Sequence, residues 1–459
     1  MKISKRIIRI INFKSLVSDL FFDICLFTSI ILLLTSCDTT DPPPSNQKLT
    51  LAAEDASCTE AWLNLKLENI TTPIEVTLNC NDTVAQISNL SNNDTTLFVE
   101  NLLPNQTYTF QTVIQSTNLK SNSVSVTTMD TTSHNFTWET FTFGGGGNSI
   151  LRDVAIINEN NIWAVGEIHT AETDKFDSNG VWVKPYNAIH WDGSSWELTR
   201  IVNDGYPRRI VYAFSENDVW FDGSIKWDGV KYSVHNDGFP LDSNGNGWYR
   251  NAMWGVSSSD FYVVGNGGNI AHYNGSSWRK IESGTDVDLV DIWGSSDGKN
   301  IWICGNENFK PTVLLKIKNN KADILYNSKD NLFPYNLNRL SGNFTSVWTN
   351  RRNILYILTA YDLYRIYQNN INSPIPLWKN TEQIATRKAR GTESNNIFTV
   401  GENGELSHYN GISWKTYMEL YRIFKTYNSI AVKENIAVAV GYNYINGIED
   451  KAIVTITKK

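Results

Sequence analysis

Histidine and cysteine are scarce in these 459 residues, at 6 and 5, and no His/Cys spacing of the zinc-binding kind occurs. Basic charge is short as well. Forty Lys and Arg stand against 47 Asp and Glu, a net charge of -7, and no basic stripe is present of the kind that tracks a phosphate backbone, so a nucleic-acid surface is excluded. Neither a G-x-S-x-G nucleophile elbow nor a phosphate loop is found. The apolar run from Leu26 to Leu34 is too short to span a bilayer as a mature helix. What is abundant is aromatic: 16 Trp, 20 Tyr and 19 Phe, beside 29 Gly and many Asn. That mix belongs to short aromatic-lined strands joined by tight turns, and the expectation is an all-β chain.

At the amino terminus, Lys2, Lys5, Arg6 and Arg9 precede the apolar run, which ends at Leu34-Thr35-Ser36-Cys37. This arrangement resembles the lipobox of bacterial lipoproteins. The resemblance implies that 1–36 is a signal peptide, that Cys37 is acylated, and that the protein is held at a membrane of the cell envelope by its lipid. The acidic residues behind Cys37 look like those of outer-membrane lipoproteins in Bacteroidetes and their relatives, with the leaflet left open. Residues 37–47 are polar and rich in Pro (Pro42, Pro43, Pro44), which cannot build a core and reads as a semi-stiff linker.

From 48 to 129, short runs of alternating apolar and polar residues separated by turn-rich pieces read as a small antiparallel sandwich. The segment Leu102-Leu103-Pro104-Asn105-Gln106-Thr107-Tyr108 resembles the tyrosine corner of fibronectin type III domains. That resemblance implies an immunoglobulin-like sandwich in which the Tyr108 hydroxyl ties the loop back to backbone; such domains serve as spacers or as binding modules, and a spacer is the expectation here. In an exported protein Cys58 and Cys80 are candidates for a disulfide. Cys304 stands where a repeat carries Val and reads as a buried thiol.

That repeat occupies 136–459. Asn160-Asn161-Ile162-Trp163-Ala164-Val165-Gly166 returns in seven copies, ending at Gly166, Gly223, Gly265, Gly305, Thr359, Gly401 and Gly441, at intervals of 57, 42, 40, 54, 42 and 40 residues. An apolar strand precedes each copy, and several are followed by a hairpin turning at Asp-Gly or Asn-Gly, as in His272-Tyr273-Asn274-Gly275-Ser276-Ser277-Trp278, where a primed two-residue turn is expected. Four strands per unit predict a seven-bladed β-propeller. The last unit lacks its fourth strand, while 136–144 aligns with 276–284. The ring is therefore expected to close with a strand borrowed from the start of the domain.

His190, His272 and His408 share one repeat position and so fall on different blades, which predicts packing rather than a shared metal. Asp242, Asn244 and Asn246, with Gly245 and Gly247, open like a calcium loop, but Arg250 and Met253 stand where its later ligands belong. The segment from Ser295 to Trp302 looks partly like the Asp-box of sialidase-type propellers, one residue short. Two insertions, His169 to Tyr186 and Asn306 to Asn343, escape the repeat, and Gly238 to Tyr249 forms a Gly/Asn-rich loop. Trp182, Tyr186, Phe239, Trp248 and Tyr249 on these loops are the candidate ligand contacts. With no catalytic constellation and no cofactor motif, the expectation is a non-enzymatic propeller binding a protein or a glycan. The alternatives are a glycoside hydrolase or lyase, marked by two carboxylates in the central funnel, and a scaffold for an envelope complex.

Overall fold

A computed structural model describes residues 46–145, 147–307, 311–328, 340, 342–349, 354–367, 374–379, 384–445 and 449–459. The leader, Cys37 and most of the linker lie outside the described residues. From Lys48 to Lys459 the chain forms one compact unit.

The first module is two antiparallel sheets face to face. One orders Lys48–Ala56, Ala61–Glu68 and Asp94–Val99; the other orders Thr83–Leu90, Ile74–Cys80, Thr107–Ile114 and Leu119–Lys120, with Val124–Thr127 also on Thr107–Ile114. Alternation puts Leu63, Leu65, Val76, Leu78, Leu97 and Phe110 into the shared core. The Tyr108 hydroxyl accepts the Leu103 N–H at 2.8 Å, fixing the corner before that strand.

Among the described residues that follow are seven four-stranded antiparallel sheets. Their innermost strands are Ile150–Asn158, Val211–Ser215, Arg250–Ser257, Leu289–Gly294, Phe344–Trp348, Thr386–Glu393 and Lys425–Lys433. Each packs against the next and the seventh against the first. Thr137–Phe143 pairs with Glu449–Lys458 as the outer strand of the seventh sheet, so first and last segments of this region share one ladder. Large apolar side chains fill the spaces between sheets, among them Trp220, Trp302, Trp348 and Phe398.

Several local expectations change. The Asn306 to Asn343 segment does not wholly escape the repeat: Val313–Lys318 and Lys321–Asn327 are the outer strands of the fourth sheet. Their turn is Asn319-Asn320, both with positive φ (51° and 61°), a left-handed pair that Asn tolerates without glycine. At the Asp-Gly and Asn-Gly hairpins the left-handed residue is glycine alone, with φ of 96° at Gly193 and 89° at Gly275. The preceding Asp or Asn instead caps the turn: Asp192 Oδ1 accepts the N–H groups of Ser194 and Ser195, both at 2.8 Å.

Cys58 and Cys80, the candidate pair, are both free thiols. Cys58 is buried with its thiol directed at the Asp130 carbonyl, 3.2 Å away, and packs on Gly411 of the sixth sheet, whereas Cys80 ends its strand at a turn. The sandwich is also no free spacer. Arg365 of the fifth sheet makes a two-pronged ion pair with buried Glu60, Trp62 and Phe98 pack on Tyr367, and Asn395 Nδ2 donates to the Asp130 carbonyl at 2.8 Å.

Candidate functional site

The inner strands begin with a shared irregularity. In six of the seven sheets the register slips by one residue near the strand start, leaving Arg152, Asn251, Val290, Thr345, Arg387 and Asn428 outside the ladder. Such a bulge turns a side chain out of the sheet, here toward the mouth of the ring. Asn428 Nδ2 donates to the Leu151 carbonyl at 2.8 Å and Asn251 Nδ2 to the Leu289 carbonyl at 3.0 Å, each joining the start of one inner strand to the start of the next. The strands therefore run the same way, and their starts share one face. Arg387 is held by Asn428 and Glu402, each at 3.1 Å. Arg209, just ahead of the second inner strand, is exposed with its guanidinium 5.4 Å from the Tyr249 ring centre.

One step further along the strands lies a charged waist. Asp291 is fully buried and receives Arg390 and Lys388 on Oδ1 at 2.7 Å each, and Arg390, Ser346 Oγ and Val347 N–H on Oδ2 at 2.9, 2.7 and 3.0 Å. Burial works to raise its pKa, but Arg390 and then Lys388 outweigh that and hold it well below the usual carboxylate range. Asp153 occupies the same repeat position in the first sheet. It accepts from Ser429 Oγ at 2.8 Å and Val211 N–H at 3.1 Å, and burial pushes its pKa up against the partial opposition of Lys388. A cavity of about 180 Å³, lined by Asp153, Tyr212, Asn251, Trp293, Lys388 and Arg390 among others, occupies this waist. Of the two carboxylates, Asp153 lines this cavity, whereas Asp291 is fully buried and does not border it. Asp291 is saturated with donors, and both tie neighbouring sheets together.

The loops of the mouth carry the sequence candidates. Trp182 lies on a two-stranded hairpin (Lys175–Phe176 with Trp182–Val183) and is 47% exposed beside exposed Phe176. Tyr249 is 67% exposed. The other three are half-buried: Tyr186 lies under the Arg200 guanidinium at 3.9 Å, Phe239 packs on Trp248 and Trp278 with Arg250 over its ring, and Trp248 donates to the Pro240 carbonyl. Sequence reasoning missed Tyr206 and Phe424, 70% and 64% exposed on the loops before the second and seventh inner strands. It also missed Arg152, Arg209 and the waist. The signal for the waist was the shared pattern Leu151-Arg152-Asp153-Val154 and Leu289-Val290-Asp291-Ile292, an aspartate at one repeat position in two copies.

Asp242 spends its carboxylate on its own loop, accepting the N–H groups of Asn244 and Asn246 at 2.8 Å each, and among the described residues no group of three or more His, Cys, Asp or Glu side chains could hold a metal ion. The three repeat histidines each bond the residue that opens the neighbouring strand: His190 to Asn161 at 2.9 Å, His272 to Asp260 at 2.8 Å and His408 to Asn396 at 3.0 Å.

Neither a family model nor a curated protein matches this sequence. Solved structures do match its fold. A structure of YCF48 bound to a D1 peptide superposes with a TM-score of 0.51 at 14% identity, covering 72% of this chain and 99% of that one. Catalytically inactive virginiamycin B lyase from Staphylococcus aureus with quinupristin gives 0.50 at 9% identity, covering 71% and 100%. The chain therefore carries an all-β, propeller-like fold.

Proposed function

We propose that this chain is a recognition protein: a seven-bladed propeller that binds a protein or glycan on the face where its inner strands begin, with a fibronectin type III-like sandwich fastened to the opposite side. The observation that carries the reading is a division of labour between faces. The sandwich contacts Asn395, Asn410 and Gly411, which lie where inner and third strands end. The other face gathers Trp182, Tyr206, Tyr249 and Phe424 in exposed positions around an arginine-bearing mouth. Exposed aromatics set among polar groups are the usual makings of a contact surface. The peptide held by YCF48 supports recognition as a use of this fold, and the lyase supports catalysis as another. Recognition is favoured here because the cavity is lined by one of the two carboxylates, Asp153, and both Asp153 and Asp291 are engaged in joining sheets.

The lipobox reading places the protein on the outer membrane through acylated Cys37, with recognition at the cell surface or on the periplasmic side. Photo-crosslinking in intact cells tests the binding face. A crosslinker at position 249 or 182 is expected to give discrete adducts or glycan conjugates, and one at the exposed far-face residue Val230 is expected to give none. Equal labelling from both faces would remove the basis for the reading.

A further inference from the structure

Arg152 stands apart from the other polar residues at the strand-start bulges. Asn251, Asn428 and Arg387 all spend their side chains on neighbouring strands or on Glu402. The guanidinium of Arg152 makes no hydrogen bond or ion pair among the described residues, and its buried Nε has no partner. Leaving a buried donor unmade is costly, the more so for a charged group, so a folded protein retains one where something else completes it. A second cation lies close by. Arg209 acts on Arg152 strongly enough to add to the lowering of its pKa that burial begins, and an opposing charge, Glu167, is shared with His169 Nε2 at 3.3 Å. The Arg209 guanidinium, beside the Tyr249 ring, makes one long hydrogen bond among the described residues, to Asn251 Oδ1 at 3.5 Å. Among the described residues, two guanidinium groups of like charge thus face one mouth with no carboxylate bonded to either, and exposed Tyr206, Tyr249 and Phe424 stand on loops of the same face.

We propose that this mouth captures an acidic peptide segment, its carboxylate seated between Arg152 and Arg209 and its apolar side chains resting on Tyr206, Tyr249 and Phe424. The inference rests on the recognition reading of this face and names its ligand. Arginine suits a carboxylate because its planar fork donates two parallel hydrogen bonds. Exposed aliphatic groups beside the aromatics, Ile423 and Leu241, favour peptide side chains over the flat faces of sugars. The carboxylate could be an Asp or Glu side chain or a free C-terminus.

A randomised peptide display library selected against the full-length chain tests this. Selected peptides are expected to carry Asp, Glu or a free C-terminus next to an apolar residue. Amidated and Asp→Asn versions then separate the two sources of carboxylate. Arg152→Gln and Arg209→Gln are each expected to weaken binding at least tenfold with an unchanged melting temperature, and raising the salt from low to high should weaken it further. Arg209 is exposed, so its variant reports on binding even if Arg152→Gln disturbs folding. Peptides without carboxylates, or acidic peptides indifferent to both arginine variants yet lost on Tyr249→Ala, would overturn the anion site while leaving the binding face standing. An oligouronate that binds through Arg152 where no peptide enriches overturns the peptide class. Absence of any ligand in either format overturns both readings.

Discussion

Single carboxylates at buried positions separate into those the fold needs charged and those it needs neutral. Glu405 is fully buried, accepts Ser407 and Thr399 hydroxyls on Oε1 at 2.6 and 3.0 Å, and leaves Oε2 without a partner among the described residues. Burial pushes its pKa up to about 7, against the two hydroxyls. In the unfolded chain the group ionises near pH ~4.3. Between that pH and about 7 the folded state holds a proton the unfolded state has lost, so stability falls as pH rises through this window and levels off above it. Glu405→Gln is expected to flatten that slope and to exceed the native chain above pH 7 by up to about 3 kcal/mol, read from urea melts at pH 5 and 8. Asp291 has the opposite sign. Asp291→Ala would strand Arg390 and Lys388 without a counter-charge, a loss of about 3–5 kcal/mol. Asp153→Asn, at the same repeat position but with a raised pKa, is expected to cost less than about 1 kcal/mol, because the amide oxygen can take the place of Oδ2 and accept the Val211 N–H while its NH2 donates to the Ser429 hydroxyl.

Turns and bulges decide which strands belong to which sheet, and they also decide what could be read in advance. Hairpins with an Asx-Gly pair were legible because glycine marks a positive φ, and the fourth sheet was not, because Asn319-Asn320 makes a left-handed turn without glycine. Bulges were invisible for a different reason. They shift register without changing composition, so Arg152 and Asn251 looked like ordinary strand residues although their side chains form the mouth. Exposed aromatics split the same way: a loop position predicts access for Trp182 and Tyr249, whereas Phe239 and Trp248 fold back onto Trp278 and each other, which only packing reveals. Gly411 joins the turn scale to the docking of the sandwich. Its φ is 101° and a Cβ there would overlap the Cys58 sulfur. Gly275 has a similar φ of 89° but meets only Ser259 of its own sheet. Gly411→Ala is therefore expected to raise the reactivity of Cys58 toward a thiol reagent, while Gly275→Ala lowers stability and leaves Cys58 protected.

At the scale of the molecule the sandwich and the ring of sheets are fastened by a small number of strong contacts rather than a linker alone. The segment between them, 130–135, is itself engaged, with the Thr132 N–H on the Asn410 carbonyl at 3.2 Å and the His134 ring 2.9 Å from His408. The centre of the contact is Glu60 with Arg365, whose side chains are 5% and 9% exposed, supported by Ser57 Oγ on Glu60 at 2.7 Å and by the Trp62, Phe98 and Tyr367 rings. Removing one member of a buried ion pair costs more than the pair is worth, because the remaining charge stays desolvated. In Glu60→Ala the cheapest escape for Arg365 is hydration, and hydrating it requires the sandwich to lift from the fifth sheet. The native chain from Lys48 onward is thus expected to protect its sandwich and ring amides with comparable opening energies, whereas in Glu60→Ala the amides of 48–129 exchange earlier while those of the inner strands are unchanged. A Glu60→Gln, Arg365→Met double variant, which removes both charges and keeps the volume, should recover much of the native protection. Recovery there assigns the loss to the stranded charge, and its absence assigns it to the hydrogen-bonded geometry that only the carboxylate and guanidinium provide.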